Sequence, residues 1–305
     1  MEILNTIVPI FAVIFIGWIA RERGFLPNHF LEPANRLVFY FAIPAMIFMA
    51  IARSSFQENF NISVLLIGLF SMLLAYLISW AATGIIPLEK RSTGTFVQCS
   101  FHGNIGYMAF AVTFYFLGEE GFARAGLFSG FVIIWQNFLS VLVLSIYGSS
   151  SQEKFRGGAF ISPVLLNPVI IASALGILVS IFSIPLPLIL SRSLEILGGM
   201  GLPLALLIIG GSLSFETLKA HFSRVAVTSL IKLFVLPGMA FFLYRLAGSP
   251  RHEYLPLLII LAAPTATVTY VMAAEMRGDK GLAAAAVSIN TVLSSLTYIL
   301  WLNFA

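Results

Sequence analysis

The sequence predicts an all-α polytopic membrane protein. Its ten transmembrane helices form two inverted five-helix repeats, with the fourth and ninth helices broken in matching places. Three observations predict this: an apolar excess, a series of bilayer-length runs, and a self-similarity at a fixed offset. Of 305 residues, 59% are hydrophobic and only 10% are charged, and the mean hydropathy is +0.97. A soluble domain carries about 25% charged residues, so most of the outer surface must face lipid. Cytosolic enzymes, secreted disulfide scaffolds and disordered chains are thereby excluded. The single cysteine, Cys99, makes neither an internal disulfide nor a metal cluster. A formal charge of +4, spread over short loops, is too thin for a nucleic-acid surface. Neither a cofactor nor a metal is expected.

A helix needs about 20 apolar residues to cross the bilayer. Punctuation at charged, Gly and Pro clusters yields ten runs: Leu4–Ala20, Pro33–Ala52, Ile62–Ile86, Thr93–Leu117, Phe122–Tyr147, Pro163–Ile184, Pro187–Ser214, Ser223–Ala247, Tyr254–Met276 and Leu282–Asn303. The first has no basic segment before it and no small-residue cleavage site, so it reads as a retained span. Runs as long as Ile62–Ile86 exclude the alternating pattern of barrel strands. The loops after odd-numbered runs hold Arg21, Arg23, Arg36, Lys90, Arg91, Lys154, Arg156, Lys219, Arg224, Arg277 and Lys280, whereas the opposite loops hold Arg53, Arg124, Arg192, Arg245 and Arg251. The excess places the odd-numbered loops in the cytoplasm and both termini outside. The longest connection, about Gly148 to Ser162, is too short to be a domain.

The chain resembles itself at an offset of 159 to 160 residues. Pro9 and Gly17 fall on Pro168 and Gly176, Ile43-Pro44 on Leu202-Pro203, and Ser55-Phe56 on Ser214-Phe215. Gly118, Gly121, Ala123 and Ala125 fall on Gly278, Gly281, Ala283 and Ala285, and at an offset of 163 Tyr107 meets Tyr270. Residues 1–150 and 160–305 are read as the two repeats within one membrane domain. Five spans per repeat is an odd number, so the second half enters the membrane from the opposite side. Inverted repeats mark secondary transporters, whose substrate sits near the midplane between discontinuous helices.

Two runs are interrupted in matching places. The fourth reads Cys99-Ser100-Phe101-His102-Gly103-Asn104-Ile105-Gly106-Tyr107, and the ninth reads Ala262-Ala263-Pro264-Thr265-Ala266-Thr267-Val268-Thr269-Tyr270. Pro264 removes a backbone donor and frees carbonyls, and irregular backbone at this depth survives only when buried in protein or lining a cavity. If the two spans cross at these points, four helix ends meet. The second half-helices, starting near Gly106 and Thr267, present N–H groups and partial positive charge, which suits a carboxylate; the first halves present carbonyls. The only aspartate, Asp279, lies in a loop, and neither break has an acidic residue nearby. A cation site would be expected to have one, so an anion is favoured. The substrate-binding set is Asn104, Gly103, Ile105, Gly106, His102, Pro264, Thr265, Ala266 and Thr267. Tyr107, Thr269, Asn290, Asn137 and Lys232 form a second rank. Pro9, Pro44, Pro168, Pro203 and Pro237 are read as ordinary kinks.

With these residues in view, the chain resembles the auxin efflux carrier family, which includes the plant PIN-type carriers and bacterial malonate and malate permeases. The likeness spans the whole length. It is carried by Ile7–Gly17 with the basic loop after it, by Asn35-Arg36-Leu37-Val38-Phe39-Tyr40-Phe41-Ala42-Ile43-Pro44-Ala45, by Gly103-Asn104-Ile105-Gly106-Tyr107-Met108, and by Ala262-Ala263-Pro264 through Met272-Ala273. The resemblance implies a plan shared with bile-acid symporters and sodium–proton antiporters, with crossed fourth and ninth helices. It further implies a scaffold of spans 1, 2, 6 and 7, a mobile transport unit of spans 3–5 and 8–10, a homodimer, and export or exchange of an organic anion touching Asn104. Plant members have a proline beside that asparagine, where this chain has Gly103, and many carry a long cytoplasmic loop whose absence here suits the inner membrane of a prokaryotic cell.

Other polar residues in the runs have plainer readings. His102 carries a coupling proton or bonds a freed carbonyl. Lys232 lies roughly 12 Å deep by helical rise, where it snorkels or serves as counter-ion. Glu195 reads as a local ion pair with Arg192. Asn137 and Asn290 read as interhelical glue, Gly126 and Gly130 as a close-packing motif, and Cys99 as a small core residue. No ATP-binding loop is present. The expected function is a secondary transporter of a small organic anion working by alternating access, not an enzyme. Its alternatives are a sodium-coupled organic anion symporter using Gln98, Asn104 and Gln136, and an anion sensor that moves nothing. A hydrolase built on Ser129 and His102 has little to recommend it.

Overall fold

The structure, a computed structural model, describes residues 2–148 and 166–305. Beyond its first residue, the expected connection from Gly148 to Ser162, with Lys154 and Arg156, lies outside the described residues, as does the start of the sixth run at Pro163. The described residues are mostly helical and contain no strand. Seven helical stretches are long and apolar enough to cross a membrane. They are α1 (Glu2–Glu22), α2 (His29–Ala52), α3 (Ile62–Ala82), the stretch Ile105–Tyr147, α7 (Leu188–Gly211), α8 (Leu218–Leu246) and α11 (Lys280–Phe304). Four shorter or nested helices complete the set: α4 (Lys90–Phe101), α5 (Phe110–Tyr147, within the long stretch), α9 (Arg251–Leu261) and α10 (Val268–Glu275). A further apolar helix, α6, runs Pro168–Ile181.

The helices end where the sequence forces them to. Asn61 accepts from the N–H groups of Ser63 and Val64 at the start of α3, Asn167 does so for Val169 at α6, and Asp279 for Leu282 at α11. Gly118, at φ 69°, bends α5 between the expected fourth and fifth runs; only a residue without a Cβ holds that conformation at no cost. Three π-helical turns, Val38–Ala42, Ile105–Ala109 and Ile231–Val235, lie inside or beside spans, each shifting the helical face that follows it.

Small residues set how closely the helices approach. Gly17 of α1 lies directly on the backbone of Leu207, and Gly210 of α7 lies on that of Ile14, so no Cβ fits at either position. In the same way Gly176 of α6 lies against α2, where a methyl would fall 3.0 Å from the Ile51 side chain and 3.2 Å from the Phe48 carbonyl. Close backbone contact at small residues is how helices associate in lipid, where no hydrophobic force separates lipid tails from leucine. The expected Arg192–Glu195 pair does not form. Glu195 pairs with Arg53 of α2, because the first half of α7 lies alongside that helix.

Burial separates two kinds of helix. Phe15, Ile16, Phe41, Leu66, Phe70 and Phe242 stand exposed on the periphery, a surface suited to lipid rather than water. Every residue from Ser92 to Phe101 of α4 and from Tyr254 to Leu261 of α9 is buried. These two helices form the interior, and both stop short.

Candidate functional site

After α4 the chain leaves helical geometry at His102, Gly103 and Asn104 and resumes at Ile105. After α9 it is irregular from Ala262 and resumes at Val268. The two irregular segments run antiparallel and pair through a single bridge between Gly103 and Thr265. Asn104 N–H donates to the Pro264 carbonyl at 2.8 Å, and Ala266 N–H donates to the His102 carbonyl at 3.1 Å. Backbone groups released by each break are thus satisfied by the other, which buried polar backbone requires.

Side chains complete the satisfaction. Thr265 Oγ1 donates to the Cys99 carbonyl at 2.8 Å and accepts from Asn290 Nδ2 at 2.6 Å, while Ser229 Oγ donates to Asn290 Oδ1. Gln136 of α5 holds Gly103 on both sides, its Oε1 accepting from the glycine N–H at 3.1 Å and its Nε2 donating to the carbonyl at 3.3 Å. A proline at position 103 would lose the first of these bonds, which gives a physical reason for the glycine here. His102 Nδ1 lies 2.8 Å from Ser140 Oγ. Lys232 Nζ donates to the Leu261 carbonyl at 2.8 Å; the side chain is 0% exposed, so it turns inward and does not snorkel.

Asn104 is the exception. Its Oδ1 accepts from the Tyr107 N–H at 3.3 Å and caps the resumed helix, but its Nδ2 is buried with no partner. The residue is 5% exposed. It lines a cavity of about 840 Å³, within the range of small-molecule sites. His102, Gly103, Asn104, Ile105, Gly106 and Tyr107 from one break line this cavity, as do Ala266, Thr267 and Val268 from the other. The first turns of both resumed helices face it, and those turns leave N–H groups without an intrahelical acceptor. A methyl added at Gly106 would meet nothing within 4 Å, so that backbone is open to an approaching ligand.

Of the expected site residues, Pro264 and Thr265 lie outside the lining, as do Thr269, Asn290 and Lys232. Thr269 is buried and donates to the Ala266 carbonyl. Asn137 and Tyr107 belong to the lining, and Tyr107 Oη donates to Asn35 Oδ1 of α2 at 2.6 Å. In the sequence Asn35 stands out only as the start of the second-run motif, not as a site residue, and Gln136 only as a candidate cation ligand. Both come from other helices, and packing alone brings them to the breaks. Among the described residues no group of three or more His, Cys, Asp or Glu side chains could hold a metal.

The cavity opens past Arg21, Glu32, Glu216 and Lys280, two basic and two acidic side chains. A second cavity of about 730 Å³ is lined by Arg53, Glu58, Glu119, Glu120, Arg124 and Glu195 among others, and it includes no residue of either break. Between this second cavity and the breaks, α5 seals against α2. A methyl on Gly126 would lie 3.1 Å from Ile51 Cδ1 and 3.5 Å from Ile47, and Phe122 packs on Phe110 and Phe114. Gly130 meets nothing within 4 Å, so only the first glycine of the close-packing motif is used.

Comparison with known proteins assigns the fold a family. Residues 2–156 and 158–302 match the family described as "Membrane transport protein". An "Uncharacterized transporter" of Methanocaldococcus jannaschii is 27% identical over 98% of this chain and 97% of its own. A "Putative malonate transporter" of Rhizobium meliloti is 24% identical over 97% of this chain and 93% of its own. A second "Uncharacterized transporter", from Methanothermobacter thermautotrophicus, is 23% identical over 97% of this chain and 96% of its own. With both halves matched nearly end to end, the chain belongs to this membrane transport protein family, the auxin efflux carriers.

Proposed function

We propose that the protein is a secondary carrier of a small organic anion, working by alternating access about the contact between its two helix breaks. The observation that carries this reading is the Asn104 amide: a buried donor without a partner, lining a cavity where two helix N-termini converge. An unsatisfied buried donor costs about 1–3 kcal/mol. A carboxylate seated there would relieve that cost and would accept further bonds from the first turns at Gly106 and Thr267.

The reading takes the chain as ten spans in two inverted repeats. Helix packing supports it: the first helix of the N-terminal half, α1, packs on α7, the second of the other half, and α6, the first of that half, packs on α2. Exchange of the halves preserves this pattern, as a two-fold axis in the membrane plane would. These four helices then form the scaffold, and the buried α4 and α9, with the helices around them, form the unit that moves. If the odd-numbered loops are cytoplasmic, the cavity reaching Asn104 opens inward, and the seal of Gly126 on Ile47 and Ile51 closes the outer path. Rocking of the moving unit would break that seal and close the space between α1 and the breaks.

The test uses malonate, the ligand named for one relative. Malonate is expected to raise the Tm of the detergent-purified protein in a saturable manner and to exchange across proteoliposomes. Asn104→Ala should remain folded and lose both responses. A wild-type malonate response that survives in Asn104→Ala would remove Asn104 from the site. Failure of malonate and a panel of small carboxylates to move the wild-type Tm would overturn the anion reading.

A further inference from the structure

Lys232 is buried, alone in this among the lysine, arginine, aspartate and glutamate side chains of the described residues, and carrying the anion gives it no task. It belongs to the π-helical turn Ile231–Val235 of α8, which points its side chain at the end of α9. Leu261, whose carbonyl accepts from Nζ at 2.8 Å, is the last residue of α9. That helix stops inside the membrane, so its final carbonyls lack intrahelical donors and carry the negative end of the dipole. Gly103 closes on the ammonium from the other break: a methyl there would lie 3.3 Å from Nζ and 3.5 Å from the Ile260 carbonyl oxygen. The lysine head therefore sits at the end of α9, where the second break begins, and beside Gly103 of the first. No acidic side chain is buried with it among the described residues, and His102, next to Gly103, is turned to Ser140.

Unwound carbonyls and half-helix C-termini at the midplane are where cation-coupled carriers coordinate sodium or protons. Here that position is filled from within the chain. We propose that Lys232 is a built-in cation for the contact of the two breaks, taking the place at the end of α9 that a coupling ion would occupy, so that anion binding needs no inorganic cation. Lys232 is then a positioning residue. Its charge holds the carbonyl end of α9 against Gly103 and keeps the neighbouring Asn104 in place, without lining the cavity itself. The last clause of the proposal rests on the carrier reading; the occupation of the cation position does not.

The experiment therefore separates the two. The Tm of the wild-type protein, without any carboxylate, is measured in sodium, potassium and choline chloride at equal concentration. The expected result is one value in all three. A rise specific to sodium would reveal an unfilled cation site, for which Gln98, with its buried and unpartnered Oε1, would be the first ligand to examine, and the proposal would fall. In Lys232→Ser, which leaves a small polar void at the α9 terminus, sodium or potassium is expected to raise the Tm by a few degrees over choline, and Lys232→Arg should stay indifferent. A Lys232→Ser protein as stable as wild type in choline and indifferent to cations would overturn the proposal. Should Lys232→Ser fail to fold, Lys232→Met, which keeps the bulk of the chain without its charge and leaves no room for an ion, is expected to melt below wild type equally in all three salts, and a Lys232→Met protein as stable as wild type would overturn the proposal. Malonate binding is then compared across the salts. Equal binding in all three by the wild type, with at least about a tenfold loss in Lys232→Met, supports the last clause, whereas sodium-dependent binding overturns it. A wild type that ignores malonate in every salt sinks the choice of anion, while the cation comparison still stands.

Discussion

The two helix breaks do the same structural work with different chemistry. The second is made by Pro264 and closed by Thr265, whose hydroxyl both donates to the Cys99 carbonyl and accepts from Asn290. Its buried hydroxyls, Thr265 and Thr269, are spent on the protein, while Thr267 lines the cavity. The first break is made without proline. Gly103 is pinned by Gln136 on both backbone atoms, and Asn104 uses only its oxygen, leaving the amide nitrogen unpaired. The buried side chains of one break are paired and the other keeps a buried donor in reserve. Each segment satisfies backbone groups of its partner, and the carrier reading takes the reserved donor as the place where a ligand enters.

Substitutions at the second break should therefore cost stability, and substitutions at the first should cost binding. The largest effect is expected at Thr265→Val, which orphans the Cys99 carbonyl and Asn290 Nδ2 together. At about 1–3 kcal/mol for each buried unsatisfied group, a thermal melt should show a Tm lowered by roughly 5 °C or more. A Thr265→Val protein that melts with the wild type would break the contrast. Asn104→Ala comes next: it should lose malonate response by more than about tenfold, while the lost cap costs only about 1 kcal/mol, read by thermal shift with and without ligand. Gly103→Ala places a methyl against Lys232 Nζ and the Ile260 carbonyl. It should lower the Tm by a degree or two and weaken binding modestly, since the neighbouring Asn104 is displaced. Gly106→Ala is expected to do least to the fold, because nothing stands within 4 Å of the added methyl. Its Tm should match wild type, yet apparent affinity in uptake should fall as the methyl enters the anion's space. A Gly106→Ala protein with unchanged uptake would remove that backbone from the site.

The breaks were legible in the sequence because their causes are local. Glycines flanking an asparagine, and a proline followed by threonines, weaken helices locally, and both motifs fall in the middle of their apolar runs. The direction of each side chain was not legible. Helical periodicity assigns faces only while the helix continues, so Thr265, in an irregular segment, could equally have faced a ligand or Cys99. Gln136 and Asn35 reach the breaks from α5 and α2, and no spacing in their own helices marks them. Lys232 was visible as a charge at depth, but the π-helical turn that redirects it toward α9 has no counterpart in the pattern of apolar residues. The boundary between the fourth and fifth runs was read near Gly118, and the structure bends there for the reason glycine exists in such places, a positive φ.

The central claim is that the unpaired Asn104 amide donor holds the anion, and Asn104→Asp tests it most directly. The substitution keeps the size of the side chain and the oxygen that caps the Tyr107 N–H, while replacing the free donor by an oxygen that repels a carboxylate. The account predicts a folded protein without ligand and no malonate-dependent rise in its Tm. A malonate response of wild-type size in Asn104→Asp would contradict it.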